Sequence, residues 1–268
     1  MAVDFKFKES YNLQDLIEIV ALLRSPEGCP WDKEQNHKSL RRDFLEETYE
    51  VLEAINKEDS DLLKEELGDV LLQVVFHAQL EREKGVFTFD EVADGVCKKM
   101  IERHPHVFGT AHAETSGQVL ENWDAIKQKT KNQKTKTESM LSVPREFPAL
   151  MRADKVQKKA AKAGFDWDSA EGAFEKLYEE FGELKAAVES KDSDDVFEEY
   201  GDLLFSAVNA SRFIGVDSEE ALTKATDKFI ERFSQVENMA LDEGIDMKTS
   251  SIEELDRLWD KAKASKKV

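Results

Sequence analysis

Residues 43–78 read DFLEETYEVLEAINKEDSDLLKEELGDVLLQVVFHA. Two segments with helical spacing flank a short polar turn at 56–61. The first carries Glu46, Glu47 and Glu50, and the second carries Glu66 and Asp69. Residues three and four apart share a helix face, so Glu47 sides with Glu50, and Glu66 with Asp69. A turn that folds the helices back on each other brings four carboxylates to one interhelical groove. Like charges at that range are unfavourable without a cation between them. An all-oxygen ligand set suits magnesium or manganese. A solvated acidic face would also be rich in Glu, but these carboxylates sit among Phe44, Leu45, Val51, Leu52 and Ile55 on one helix and Leu67, Val70, Leu71, Leu72, Val74 and Val75 on the other. The second helix is apolar nearly all round after Asp69 and is expected to be buried.

The pattern occurs twice. Residues 178–211 read YEEFGELKAAVESKDSDDVFEEYGDLLFSAVNAS. One ungapped shift carries Glu46, Glu47 and Glu50 onto Glu179, Glu180 and Glu183, and Asp59-Ser60-Asp61 onto Asp192-Ser193-Asp194. It also carries Glu65, Glu66, Gly68, Asp69 and Leu71 onto Glu198, Glu199, Gly201, Asp202 and Leu204. Solvated faces do not reproduce a turn, a glycine and six carboxylates in register, so the chain is an internal repeat.

The rest of the chain follows that repeat. In the first half, helical spacing runs over 13–24, then 60–83 to a stop at Gly85, then from the capping box Thr88-Phe-Asp-Glu91 to Arg103, and over 118–129 around Trp123. In the second, it runs over 150–163 to Gly164, through the two carboxylate helices to Gly215, along 217–240, and from Ser251 around Trp259. Trp31-Asp32 pairs with Trp167-Asp168. The expected fold is all-α, a tandem of two helical bundles of about five helices each. The domains are 1–130 and 150–268. The stretch 131–149, basic and without apolar period, then proline-bearing, reads as a linker.

Length and composition agree. The 268 residues are 40% hydrophobic with only 12 Gly and 5 Pro, which suits two helical cores and argues against a loop-rich or all-β protein. A formal net charge of −19 disfavours nucleic acid or an anionic membrane as partner. Cys29 and Cys97 have no metal-ligand spacing and read as free thiols. Neither a leader peptide nor a membrane span is legible, so the expected compartment is cytoplasmic.

Each half adds a Lys/Arg pair one turn apart, Lys99 with Arg103 and Lys228 with Arg232. Each then adds a Trp/Lys pair, Trp123 with Lys127 and Trp259 with Lys263. Metal-holding carboxylates, cations for phosphate oxygens and a flat ring for a base make the inventory of a metal-dependent nucleotide site. No GxxxxGK[ST] or GxGxxG loop is present. The single Glu-x-x-His, Glu34 to His37, lies in a polar segment, and His77 reads as a hydrogen-bonded core histidine. His104, His106 and His112 have no counterparts in the second half, which sets them apart from the shared chemistry.

At this point the residues resemble a family. Glu46-Glu47-Thr-Tyr-Glu50 with Glu66-Leu-Gly-Asp69, and Glu179-Glu180-Phe-Gly-Glu183 with Glu199-Tyr-Gly-Asp202, resemble the E-E-x-x-E and E-x-x-D pattern of the MazG nucleoside triphosphate pyrophosphohydrolases. Gly28-Cys-Pro-Trp-Asp32 and Arg103-His-Pro-His-Val-Phe108 look like that family's first domain. The family lies within the all-α pyrophosphatase superfamily that also holds the dimeric dUTPases. The resemblance spans both halves. It implies Mg²⁺-dependent cleavage of a nucleoside triphosphate to nucleoside monophosphate and diphosphate, in helical domains that pair as homodimers. On that reading Glu180, Glu183, Glu199 and Asp202 hold the metal, with Mn²⁺ as a substitute. Glu179 is the base, and Lys176, Lys228, Arg232, Trp259 and Lys263 meet substrate. Glu47, Glu50, Glu66, Asp69, Lys99, Arg103, Trp123 and Lys127 form a second set. The runner-up is a module that binds nucleotide without turnover.

One difference separates the halves. Lys176 stands four residues before Glu180, whereas Asp43 stands four before Glu47. A charge reversal at partly exposed range is worth on the order of 1–3 kcal/mol in phosphate binding, so the second half is expected to carry most of the hydrolysis.

Overall fold

The computed structural model describes residues 5–130 and 135–265. Residues 131–134 of the expected linker, and the ends 1–4 and 266–268 of the expected domains, lie outside the described residues. By contacts the chain divides into two compact units, Met1–Thr130 and Lys131–Val268.

The described residues of the first unit form α1 (Leu13–Leu23), α2 (Pro30–Glu34), α3 (Arg41–Asn56), α4 (Ser60–Glu83), α5 (Phe89–Arg103), α6 (Pro105–Phe108) and α7 (Ser116–Thr130). Those of the second form α8 (Lys136–Leu141), α9 (Ala149–Ala161), α10 (Ala170–Ser190), α11 (Ser193–Phe213), α12 (Ser218–Glu243) and α13 (Ile252–Ser265). No strand occurs among the described residues.

The helices begin where polar side chains satisfy first-turn amides. Asn12 accepts from Gln14 and Asp15, and Thr88 forms the expected capping box with Glu91. Gly85 and Gly215 follow the carboxylate helices at φ 70° and 68°, where a side chain would be strained.

Three features depart from the sequence reading. α2 and α6 are additional turns, each opened by a proline at a position where its missing N–H costs nothing. Within the stretch read as a linker, α8 forms behind a Thr135/Glu138 capping box, and its Ser139 is buried and accepts from Lys159 Nζ at 2.6 Å. The third is α4, which is covered all round over 72–80 as expected but leaves Leu67 and Leu71 exposed.

The covered C-terminal half of α4 builds the first core. Val75, Phe76 and Leu80 pack with Val20 of α1 and Leu40, with Leu16, Ile17, Leu72 and Phe89 around them. Its N-terminal half leaves Leu67 and Leu71 exposed, as are Leu45, Leu52 and Ile55 of α3. In the second unit a separate cluster joins Val236 and Ala240 of α12 to Leu258 and Ala262 of α13.

Both units centre on a helix pair, α3 with α4 and α10 with α11. The two turns match in detail. Asp59 caps α4 by accepting from Asp61 and Leu62, and Asp192 caps α11 by accepting from Asp194 and Asp195. The residue before each cap, Glu58 at φ 54° and Lys191 at φ 63°, is left-handed. These are the only non-glycine residues with positive φ among the described residues.

Candidate functional site

In each unit the helix pair gathers its carboxylates. Oxygens of Glu47, Glu66 and Asp69 lie within 4.8 Å of one another, and so do those of Glu180, Glu199 and Asp202. The i, i+3 spacing of Glu66/Asp69 and Glu199/Asp202 aims each pair at one helix across the groove. Glu50 and Glu183 lie outside these groups of three but remain neighbours. Glu50 hydrogen-bonds Glu66, and Glu183 acts on Glu199 through its charge.

The electrostatics are those of crowded acids. Burial, then Asp69 and Glu50, raise Glu47 above the ordinary glutamate range. Burial and then Glu50 raise Glu66. Burial, followed by Glu183, Glu180 and Asp202, raises Glu199. An acid that resists ionisation because of its neighbours ionises readily once a cation joins them. With carboxylate oxygens alone in the set, the donors fit a hard divalent ion that keeps waters or phosphate oxygens on its other positions.

The units differ at the position flagged by sequence. Lys176 Nζ lies 2.6 Å from Glu180 and 2.8 Å from Glu179. Those two bonds raise the lysine above its ordinary range. Glu180 is only 5% exposed, so a cation already neutralises the deepest acid of this cluster. In the first unit Asp43 instead adds to the charge that raises Glu47. Arg42 reaches Glu46 at 2.7 Å.

The residues read as phosphate and base contacts meet each other. The Arg232 guanidinium lies 5.9 Å from the Trp259 ring centre, and the Phe229 ring centre lies 5.3 Å from it. Lys228 is exposed, and Lys263 pairs with Asp260 at 3.5 Å. In the first unit Arg103 lies 4.8 Å and Lys127 5.5 Å from the Trp123 ring, and Lys99 is exposed. Both units thus build a cation–aromatic pair, on α12 and α13 in one and on α5 and α7 in the other. His77 is hydrogen-bonded as expected, to His37 at 2.8 Å, and burial lowers its pKa.

One feature escaped the sequence reading. A cavity of about 320 Å³ in the second unit is lined by residues including Gln157, Trp167, Phe205, Asn209 and Arg212. The signal was in the repeat: the shift that aligns the carboxylates sets polar Asn209 on Phe76.

Comparison with known proteins agrees with this geometry. The MazG nucleotide pyrophosphohydrolase domain pattern matches residues 35–108 and again 169–237. A Thermotoga maritima protein named nucleoside triphosphate pyrophosphohydrolase/pyrophosphatase MazG is 48% identical over 250 residues, 93% of this chain and 95% of its own length. An Escherichia coli K12 protein named nucleoside triphosphate pyrophosphohydrolase is 44% identical over 251 residues, 92% of this chain and 95% of that one. Bacillus subtilis YabN, named as uncharacterized, is 47% identical and is covered over 51% of its length. With two carboxylate-bearing helix pairs and a pattern matched once in each half, the chain belongs to the MazG nucleotide pyrophosphohydrolase family.

Proposed function

We propose that this chain hydrolyses nucleoside triphosphates to nucleoside monophosphate and diphosphate in the cytoplasm, with the catalytic work in the domain 150–268, joined through 131–149 to 1–130. The observation that carries the reading is the convergence of Glu180, Glu199 and Asp202 within 4.8 Å on a helix pair whose sequence matches a pyrophosphohydrolase domain. Glu180, Glu183, Glu199 and Asp202 would hold magnesium, or manganese in its place. The bound ion supplies charge neutralisation at the phosphates and an acidified water.

The chain's own residues complete the task. Glu179 is exposed beside the cluster and outside the group of three, and takes the proton of the attacking water. Lys176, on the same helix face, turns from the carboxylates to a phosphate oxygen. Lys228, Arg232 and Lys263 bind the remaining phosphate charge, with the Trp259 ring beside Arg232. Glu47, Glu50, Glu66, Asp69, Lys99, Arg103, Trp123 and Lys127 form the lesser site. Two copies of the chain pair to cover the apolar faces. A module that binds nucleotide without turnover is the alternative, and the complete carboxylate set in each half speaks against it. Diphosphate release from ATP, with and without Mg²⁺, decides: Mg²⁺-dependent release is expected, and binding without release would establish the alternative.

A further inference from the structure

We propose that His37 and His77 form a proton-operated clasp in the first unit, which ties the segment 35–40 to α4 and releases it when the pair takes up a second proton. The two imidazoles come from different elements. His77 lies on α4, and His37 lies between α2 and α3. Their rings stack at 5.0 Å between centres with 8° between planes, and the two Nδ1 atoms are 2.8 Å apart. On the other side of His37, Nε2 is 2.5 Å from Glu81 Oε1. Neither the carboxylate cluster nor the cation–aromatic pair of this unit uses these three side chains, so the clasp stands apart from the hydrolase reading.

The hydrogens follow from the partners. An ionised carboxylate only accepts, so His37 Nε2 carries its hydrogen. Between the two Nδ1 atoms there is room for one hydrogen, so one of these nitrogens must offer a lone pair. The pair therefore holds at most one positive charge while the bond lasts. A second proton sets N–H against N–H and adds a like charge across the stacked rings. The surroundings do nothing to accommodate it. α3 contributes the Phe44 ring, whose centre is 5.9 Å from that of His77 and which offers no charge. On α4, Glu81 is already shared with Lys84 at 2.7 Å. On α1, Arg24 is bound to Glu83 at 2.7 Å and to the Gln35 carbonyl at 3.2 Å. Burial, then the charge of His37, lowers His77.

The segment is held along its length. Arg24 holds Gln35, His37 holds to α4, and Leu40 packs in the first core with Val75 and Phe76. Leu40 is also the residue before α3, and no side chain caps that helix. Release of His37 thus loosens the entry to the helix that carries Glu47 and Glu50. The second unit has no such joint. The repeat sets Ala210 and Ile214 where His77 and Glu81 stand, and no histidine follows His112. The direction of the pH effect follows from the same contacts. His77 is lowered, so the stability it lends is complete above the ordinary histidine range and is lost as pH falls through about 6.5. Glu81 is lowered by Lys84 and then His37, so its share is lost further down, as pH falls below the ordinary glutamate range.

The test follows amide hydrogen exchange in the full chain, with a chelator present so that no ion bridges the imidazoles. Between about pH 7.5 and about pH 5.5, exchange at residues 38–44, corrected for its intrinsic pH dependence, is expected to speed up by about tenfold or more in the parent. It is expected to stay level in His77→Gln and His37→Gln, and to stay level over α10 and α11 in all three proteins. A level parent overturns the proposal. So does the parent's acceleration in either variant, or an equal acceleration over α10 and α11, which marks general loosening in acid. Should the variants lose their helical circular dichroism, the nitrogen NMR spectra of the parent's imidazoles decide. Two separated steps for His37 and His77, the second below the ordinary histidine range, uphold the clasp, and independent titration of both near about 6.5 overturns it.

Discussion

Lys176 and Gly172 show how single positions set the second unit's site. Removing the ammonium of Lys176 leaves Glu180 buried beside Glu199 and Asp202 with no counter-charge. Lys176→Met is therefore expected to lower Tm without divalent metal and to enlarge the Tm gain on adding Mg²⁺. Paired thermal scans check this, and an unchanged gain contradicts it. At Gly172 an added Cβ would sit 2.9 Å from Trp167 Cε3, so the indole must shift. Alanine brings up to about 1 kcal/mol of helix propensity, which offsets part of the cost of moving a half-exposed ring. Gly172→Ala is expected to change stability by less than about 1 kcal/mol while altering Trp167 fluorescence. An unaltered emission spectrum would count against it. The acids at Glu47, Glu66, Glu180, Glu199 and Asp202 were legible because i, i+3 spacing fixes a helix face whatever the surroundings. The partner of His77 was not, because pairing is decided by what another segment brings to it.

The helix pairs carry the repeat, and their turns share an Asp cap and a left-handed residue before it. The caps Asp59 and Asp192 were readable from Asp-Ser-Asp. The left-handed Glu58 and Lys191 were not, since neither is a residue type that favours positive φ. A β-branched side chain there is harder still to accommodate. Lys191→Val is expected to destabilise the second unit by about 1–2 kcal/mol, and Lys191→Gly to be neutral or better. Urea unfolding compares them, and equal midpoints for the two variants would contradict the argument. The same scale explains α2, α6 and α8. A helix of four to six residues has too few positions to show an apolar period, so only its opening signal betrays it. At the other end of the chain, Glu243 ties α13 to α12 through Arg257 and Lys261, and those bonds hold its carboxyl down at about 2. Its contribution is present above the ordinary glutamate pKa and fades as pH falls toward 2. Glu243→Gln should thus be less stable than the parent at neutral pH and indistinguishable from it in strong acid.

Across the whole chain, α10 and α11 leave Phe181, Phe197 and Tyr200 exposed, at 60%, 84% and 55%. Apolar faces of this extent on a helix pair call for a covering partner. Light scattering at micromolar concentration is expected to give twice the mass of one chain, and Phe197→Glu with Tyr200→Glu to halve it. A monomeric parent would refute the pairing. Division of labour between the units is tested by Glu50→Gln and Glu183→Gln. Diphosphate release is expected to survive the first and fall by about a hundredfold or more in the second, and the reverse result would exchange the roles of the two halves. The repeat was legible in the sequence because identical turns and acids recur at one spacing. The exposure of Leu67 and Leu71 on α4 was not, because an apolar helix reads the same whether its cover comes from its own chain or another.

The lysine that closes on Glu179 and Glu180 has a bearing on the order of events. It is a latch made of the same charge as the ion it stands in for. On the reading proposed above, a divalent cation entering among the carboxylates would take over its bonds, and the freed ammonium would turn toward the approaching polyanion. Metal binding would then prepare the site for substrate. Turnover begun by adding substrate to metal-equilibrated protein is expected to start without a lag, whereas metal added last should show one in the parent and none in Lys176→Met.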